Sequence, residues 1–67
     1  MAEWISVKDR LPDYREDVLA FSPEFKEYMM GQVFEWEDTV VCEFDEYILT
    51  KVTHWMPMPE PPKEDVG

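Results

Sequence analysis

Cysteine, histidine and glycine are scarce in this 67-residue chain. Cys42 is the only cysteine, which excludes an internal disulfide and a zinc site built from cysteines. His54 is the only histidine, so a metal site with two histidine ligands is excluded as well. The two glycines form no glycine-rich phosphate loop. We therefore expect no metal and no cofactor.

Basic residues are also few. Six Lys and Arg stand against sixteen Asp and Glu, and the formal net charge is −10. Residues 27–50 hold seven acids and no base. Coulomb repulsion then disfavours direct binding to nucleic acid or to an anionic membrane, and a partner protein with a basic surface is favoured. Solubility is the alternative explanation of the same charge.

Long apolar runs are absent too. The opening residues, MAEWISVKDR, carry charges where a signal peptide or a membrane span needs an apolar stretch. Together with the single thiol, this predicts a cytoplasmic protein. We expect one small domain over residues 1–62 and a flexible tail over residues 63–67.

Aromatic residues, by contrast, are abundant. Three Trp, three Tyr and four Phe side chains are present, and each buries about 150–250 Å² in a core. A domain of this size buries only about 60% of the surface that its unfolded chain exposes. Large side chains are therefore the means by which such a chain can fold without disulfides or metal ions.

Alternating apolar and polar residues predict strands over 17–22, 26–36, 39–44 and 51–56. Gly31, inside the second segment, indicates a bulge or a close backbone contact. Ser6 and Asp9 have the spacing of a helix start, which Pro12 limits to one turn. Residues 45–50 fit either a helical turn or a strand. The fold class is mostly β, with α+β left open: a small antiparallel sheet of three or four strands and one short N-terminal helical turn.

The segment THWMPMPEPP, residues 53–62, has prolines in near alternation after Trp55. Prolines at this density favour a polyproline II run, and its two apolar ridges predict a strap across the domain itself. A P-x-x-P ligand for a partner is the alternative interpretation. For His54 we favour a packed, hydrogen-bonded side chain over a metal ligand or a general base.

Two motifs bracket most of this chain, WISVKDRLP at 4–12 and HWMPMPEP at 54–61. They resemble those of the family of small phage and prophage proteins called domain of unknown function 551. The resemblance implies a bacterial host cell and no assigned activity. It also implies that the chain ends lie side by side, with Trp4 against Trp55. The structural residues that it indicates are Trp4, Arg10, Leu11, Pro12, His54, Trp55, Met56, Pro57 and Pro59.

Two functional hypotheses follow. Neither is enzymatic, because we expect that the protein is not an enzyme. The first is an acidic binding protein that inhibits a host nucleic-acid-handling or defence factor by presenting carboxylates in place of phosphates. The second is a structural or accessory interaction module that docks through apolar contacts. We expect a monomer or a small homo-oligomer whose partner is a host or phage protein. The predicted partner-binding residues are Glu35, Trp36, Glu37, Asp38, Glu43, Asp45, Glu46 and Tyr47.

Overall fold

The computed structural model describes residues 3–59, which form a six-stranded antiparallel sheet. Its spatial order is β1-β6-β2-β3-β4-β5. The strands are β1 (Ile5–Ser6), β2 (Val18–Ser22), β3 (Glu27–Trp36), β4 (Thr39–Phe44), β5 (Tyr47–Leu49) and β6 (His54–Pro57). The predicted mostly-β class and the antiparallel sheet are confirmed, whereas the expected number of three or four strands was too low. The tail predicted for 63–67 lies outside the described residues.

The predicted N-terminal helical turn is wrong. Ile5 and Ser6 are paired with β6 instead, and residues 7–9 form a single hydrogen-bonded turn. Ser6 caps that turn: its Oγ accepts from the Lys8 N–H at 3.1 Å, and its carbonyl accepts from the Asp9 N–H at 2.9 Å. The turn does not continue as a helix, because Pro12 keeps the preceding Leu11 out of the α region. Residues 3–59 contain no helix that could cross a membrane.

The three predicted strands in the middle of the chain are confirmed as β2, β3 and β4. Their apolar side chains alternate between two faces, as a strand requires. Residues 45–50, which fitted either a helical turn or a strand, form a turn at 45–46 followed by β5. The fourth predicted strand begins later than expected, at His54. Lys51 has a φ of 58°, which interrupts the extended backbone before β6.

The predicted strap also needs correction. Trp55, Met56 and Pro57 belong to β6, which pairs with β1 on one side and with β2 on the other. This part of the segment is a paired strand within the sheet and not a polyproline helix. Pro57 is accommodated at the end of β6, because within residues 3–59 β1 pairs only with His54 and Trp55 and one side of the strand is open at Pro57. Residues 60–62 of the expected strap lie outside the described residues.

One face of the sheet carries the hydrophobic core, and we call it the inner face. Its buried side chains come from five of the six strands and from the segment before β6. They are Val18, Ala20, Val33, Cys42, Leu49, Val52 and Trp55. Ile5, Val7, Met29 and Val40 pack against them and are partly exposed.

The sheet curls around this core. The Val52 N–H donates to the carbonyl of Val40 in β4, and the Thr53 N–H donates to the carbonyl of Phe21 in β2, both at 3.0 Å. Phe21 lies opposite Tyr28 and Val40 lies opposite Glu35. These two positions of β3 would be about 23 Å apart along a straight strand. Two adjacent residues can reach both only because β3 bends.

Gly31 stands where β3 changes partner. Residues up to Gly31 pair with β2, and residues from Gln32 onward pair with β4. A Cβ atom at position 31 would clash with the backbone carbonyl of Glu43 and would lie 3.0 Å from Cys42 Sγ. The close backbone contact predicted from the sequence is therefore present, and it lies at the bend.

Candidate functional site

The predicted partner-binding residues fall into two groups at opposite ends of β4. Residues 35–38 form the tip of the β3–β4 hairpin, which we call the hairpin tip. Residues 43–47 surround the β4–β5 turn. The six residues of β4 place the two turns at the centres of these groups, 37–38 and 45–46, about 20 Å apart. The structure thus presents two acidic clusters rather than one continuous acidic surface.

The hairpin tip combines one exposed aromatic residue with three acidic residues. Trp36 is 55% exposed and pairs with Thr39, with Glu37 and Asp38 as the connecting residues. Glu37 has a φ of 59°, the left-handed conformation that closes the hairpin. Glu35 precedes Trp36 on β3 and is exposed.

The β4–β5 turn has a similar composition. Tyr47 is 71% exposed and pairs with Phe44, and the connecting residues are Asp45 and Glu46. A shallow cavity of about 420 Å³ beside this turn is lined by Asp17, Gln32, Glu43, Phe44 and Asp45. Asp17 was missed in the sequence analysis because it lies far from this turn in the chain. The pairing of β2 and β4 with the same strand brings it there.

The carboxylates of both clusters are free of ion pairs within residues 3–59. The ion pairs in this part of the chain join Arg15 to Asp13 and Lys51 to Glu24. Neither pair includes a residue of 27–50. No group of three or more His, Cys, Asp or Glu side chains with metal-binding geometry occurs among residues 3–59.

Cys42 belongs to the core. Its side chain has no exposed surface, and its Sγ donates a hydrogen bond to the carbonyl of Met29 at 3.6 Å. Burial, with a smaller contribution from the charge of Asp17, raises the pKa of the Cys42 thiol to about 11. The thiol is therefore neutral at physiological pH, which disfavours a nucleophilic role.

Trp55 and Arg10 connect the two sequence motifs. The Trp55 indole N–H donates to the carbonyl of Arg10 at 3.0 Å. The Arg10 guanidinium lies over the same ring, 5.8 Å from its centroid. Ile5 pairs with Trp55 in register, so the two ends of the described chain are side by side.

The expected contact of Trp4 with Trp55 is wrong, because Trp4 lies on the opposite face of the sheet. Since Ile5 shares the inner face with Trp55, the preceding Trp4 points to the outer face. The other motif residues are less buried than Trp55. Met56 and Pro12 are half-buried, and Leu11, Pro57 and Pro59 are exposed.

The outer face carries a pocket of about 250 Å³ lined by Trp4, Phe21, Tyr28 and His54. We call it the aromatic pocket. Three adjacent strands build it, because Phe21 of β2 lies between His54 of β6 and Tyr28 of β3 in the register. Sequence reasoning named Trp4 and His54 as structural residues and missed Phe21 and Tyr28. The register of the β2–β3 hairpin was the signal that could have revealed them.

The rings in this pocket are in mutual contact. Their centroids are 6.2 Å apart for Trp4 and Phe21, 6.0 Å for Trp4 and Tyr28, and 4.8 Å for Phe21 and Tyr28. His54 Nδ1 shares a hydrogen bond of 2.8 Å with Thr53 Oγ1. The predicted hydrogen-bonded histidine is thus present, but it is half-buried on the outer face.

The fold and these surfaces define a small, acidic, all-β domain with exposed aromatic residues next to carboxylates. Among known families, the model described as "Protein of unknown function (DUF551)" matches residues 3–63. The chain therefore belongs to this family. No curated protein and no solved structure matches the chain.

Proposed function

We propose that this chain is a small binding protein that docks onto the basic surface of a partner protein. The observation that carries the proposal is the composition of the two clusters at the two ends of β4. Each displays an exposed aromatic ring, Trp36 or Tyr47, flanked by carboxylates that form no ion pair within residues 3–59. Such a surface offers an anchor residue together with unpaired charge.

The net charge of the chain also favours docking onto a basic surface. A formal charge of −10 on 67 residues repels nucleic acid and anionic membranes and steers basic surfaces toward the chain. Seven of the acids lie in the segment that contains both clusters. We therefore propose a protein partner, with no direct nucleic-acid or membrane binding and no enzymatic activity.

The sharper form of the proposal is inhibition. A partner that handles nucleic acid has a basic groove, and carboxylates can occupy the positions where phosphates would bind. The phage or prophage origin implied by the two sequence motifs suits a host defence factor, such as a CRISPR effector or a restriction enzyme, in the bacterial cytoplasm. The separation of the two clusters by about 20 Å would let them contact two parts of such a groove.

The second candidate is a structural or accessory interaction module. Ile48 and Tyr47 are both more than half exposed on β5, the short strand at one edge of the sheet. An exposed edge with apolar side chains can pair with another chain. Docking of this kind depends on apolar contact, so salt should affect it little.

The experiment is a pull-down from bacterial lysate at low and at high salt, with identification of the bound proteins. Three forms of the chain are compared: the wild type, Glu35→Gln/Glu37→Gln/Asp38→Asn, and Glu3→Gln/Asp9→Asn/Glu16→Gln. Both triple variants change the net charge from −10 to −7, because three negative charges are removed in each. Only the first variant alters the hairpin tip.

We expect a nucleic-acid-handling protein that is bound at low salt and released at high salt. The hairpin-tip variant should lose it, while the control variant should retain it. Equal loss in both triple variants would attribute binding to net charge alone and contradict the proposed surface. A partner retained at high salt would instead support docking through the β5 edge.

A further inference from the structure

We infer that the aromatic pocket receives an arginine side chain of the partner protein. The inference rests on the proposed function, because it takes the partner to be basic. It adds a further contact point to the two acidic clusters, formed by Trp4, Phe21, Tyr28 and His54 on the outer face of the sheet.

The size of the pocket restricts its occupant. Its volume is about 250 Å³, below the range of about 300–1,000 Å³ that is usual for sites of drug-sized ligands and cofactors. The pocket is also open to solvent, since Tyr28 is 62% and Trp4 41% exposed. A single side chain projecting from another protein matches this volume and this access.

The lining selects a cation. Trp, Tyr and Phe rings attract a positive charge placed within about 6 Å of their faces, and Trp does so most strongly. A guanidinium adds planar stacking on the rings, which an ammonium does not offer. The net charge of −10 further favours a cationic over an anionic group.

The chain does not fill this pocket with a cation of its own. Within residues 3–59, the guanidinium groups over aromatic rings are those of Arg10 on Trp55 and Arg15 on Tyr14, each at 5.8 Å. Neither ring belongs to the pocket. Lys51 forms an ion pair with Glu24 at 3.1 Å. The chain thus already pairs guanidinium with aromatic rings, and the pocket offers three more rings for the same contact.

The test uses the full chain, labelled with ¹⁵N, and two short peptides. The first peptide is Gly-Arg-Gly, and the second has citrulline, which is a neutral analogue of arginine, in place of Arg. The indole N–H resonance of Trp4 reports on the pocket, while those of Trp36 and Trp55 report on the hairpin tip and the core. We expect the arginine peptide to shift the Trp4 resonance. The citrulline peptide should bind about two- to fivefold more weakly.

Variants separate binding from a purely structural role of the rings. Tyr28→Ala should weaken binding of the arginine peptide about two- to fivefold, and Tyr28→Phe, which keeps the ring, should retain it. Tyr14→Ala is the matched control, because Tyr14 is also 62% exposed but lies outside the pocket. The dispersion of the amide resonances shows whether each variant is folded.

Two results would overturn the inference: an equal response to both peptides, and no response of the Trp4 resonance, whether or not Trp36 responds. Binding of an uncharged proline-rich peptide in preference to the arginine peptide would overturn it too, and would assign the pocket to polyproline recognition. Tyr28 and the hairpin tip lie at opposite ends of β3. If the arginine peptide does not bind the pocket, the proposed function is therefore unaffected. If the lysate partner is lost only in the hairpin-tip variant, that result supports the proposed function but not the arginine site.

Discussion

At the scale of single residues, several turns of this protein contain residues other than glycine in the left-handed backbone conformation. Within residues 3–59, four residues other than glycine have positive φ: Lys26, Glu37, Asp45 and Lys51. Glycine adopts this conformation most readily, yet Gly31, the glycine within residues 3–59, does not have a positive φ. The β4–β5 turn thus lacked the glycine that usually identifies a hairpin. This is why residues 45–50 fitted a helical turn as well as a strand.

Cys42 supplies a prediction at the same scale. Burial, and after it Asp17, raises the pKa of the folded thiol from 9.0 to about 11. Between these values the unfolded chain loses the proton first, so the free energy of unfolding should fall as the pH rises from about 9 to about 11. The loss from this group is about 2–3 kcal/mol, and below pH 9 its contribution is constant. Urea unfolding across this range measures it.

The Cys42→Ala variant is the control for this pH dependence. It lacks the thiol, so its stability should decline less over the same pH range. The same decline in both proteins would assign the effect to tyrosine and lysine side chains and not to Cys42.

At the scale of strands, β3 is the element that shapes the domain. It is ten residues long and pairs first with β2 and then with β4. Alternation along the sequence predicted its two faces correctly. The bend was signalled only by Gly31, because a bend arises from the positions of the two neighbouring strands and not from the pattern of β3 itself.

Gly31→Ala tests the bend. The added Cβ meets the backbone carbonyl of Glu43, which cannot move away as a flexible side chain would. We expect a loss of about 1–3 kcal/mol in the free energy of unfolding, measured with urea. Gln32→Ala, at the exposed neighbouring position, should change stability by less than about 0.5 kcal/mol. A tolerated alanine at 31 would show that β3 and β4 are not held in close contact there.

At the scale of the whole molecule, the fold is closed by contacts between its two ends. β1 and β6 pair, and the Trp55 indole joins β6 to the loop that contains Arg10. Residues 52 and 53 complete the closure by bonding to β4 and β2. The two sequence motifs therefore meet in space, and their residues contribute to one structural unit.

Trp55→Phe tests this closure. The substitution removes the N–H that the carbonyl of Arg10 accepts and leaves a smaller ring in the core. The expected loss is at least about 1 kcal/mol in the free energy of unfolding. Trp36→Phe is the matched control, because Trp36 is 55% exposed, and it should shift stability by less than about 0.5 kcal/mol. Equal effects of the two substitutions would contradict a special role for Trp55.

The sequence by itself determined the β class, the three central strands with their faces, and the acidity of residues 27–50. These properties are local: the period of apolar residues and the sum of charges can be read within one segment. Only the tertiary structure decided which strands are neighbours, because a strand's own pattern does not encode its hydrogen-bonding partner. For the same reason, the division of the acids into two clusters, the position of Asp17 beside one of them and the aromatic pocket became visible only in the folded chain.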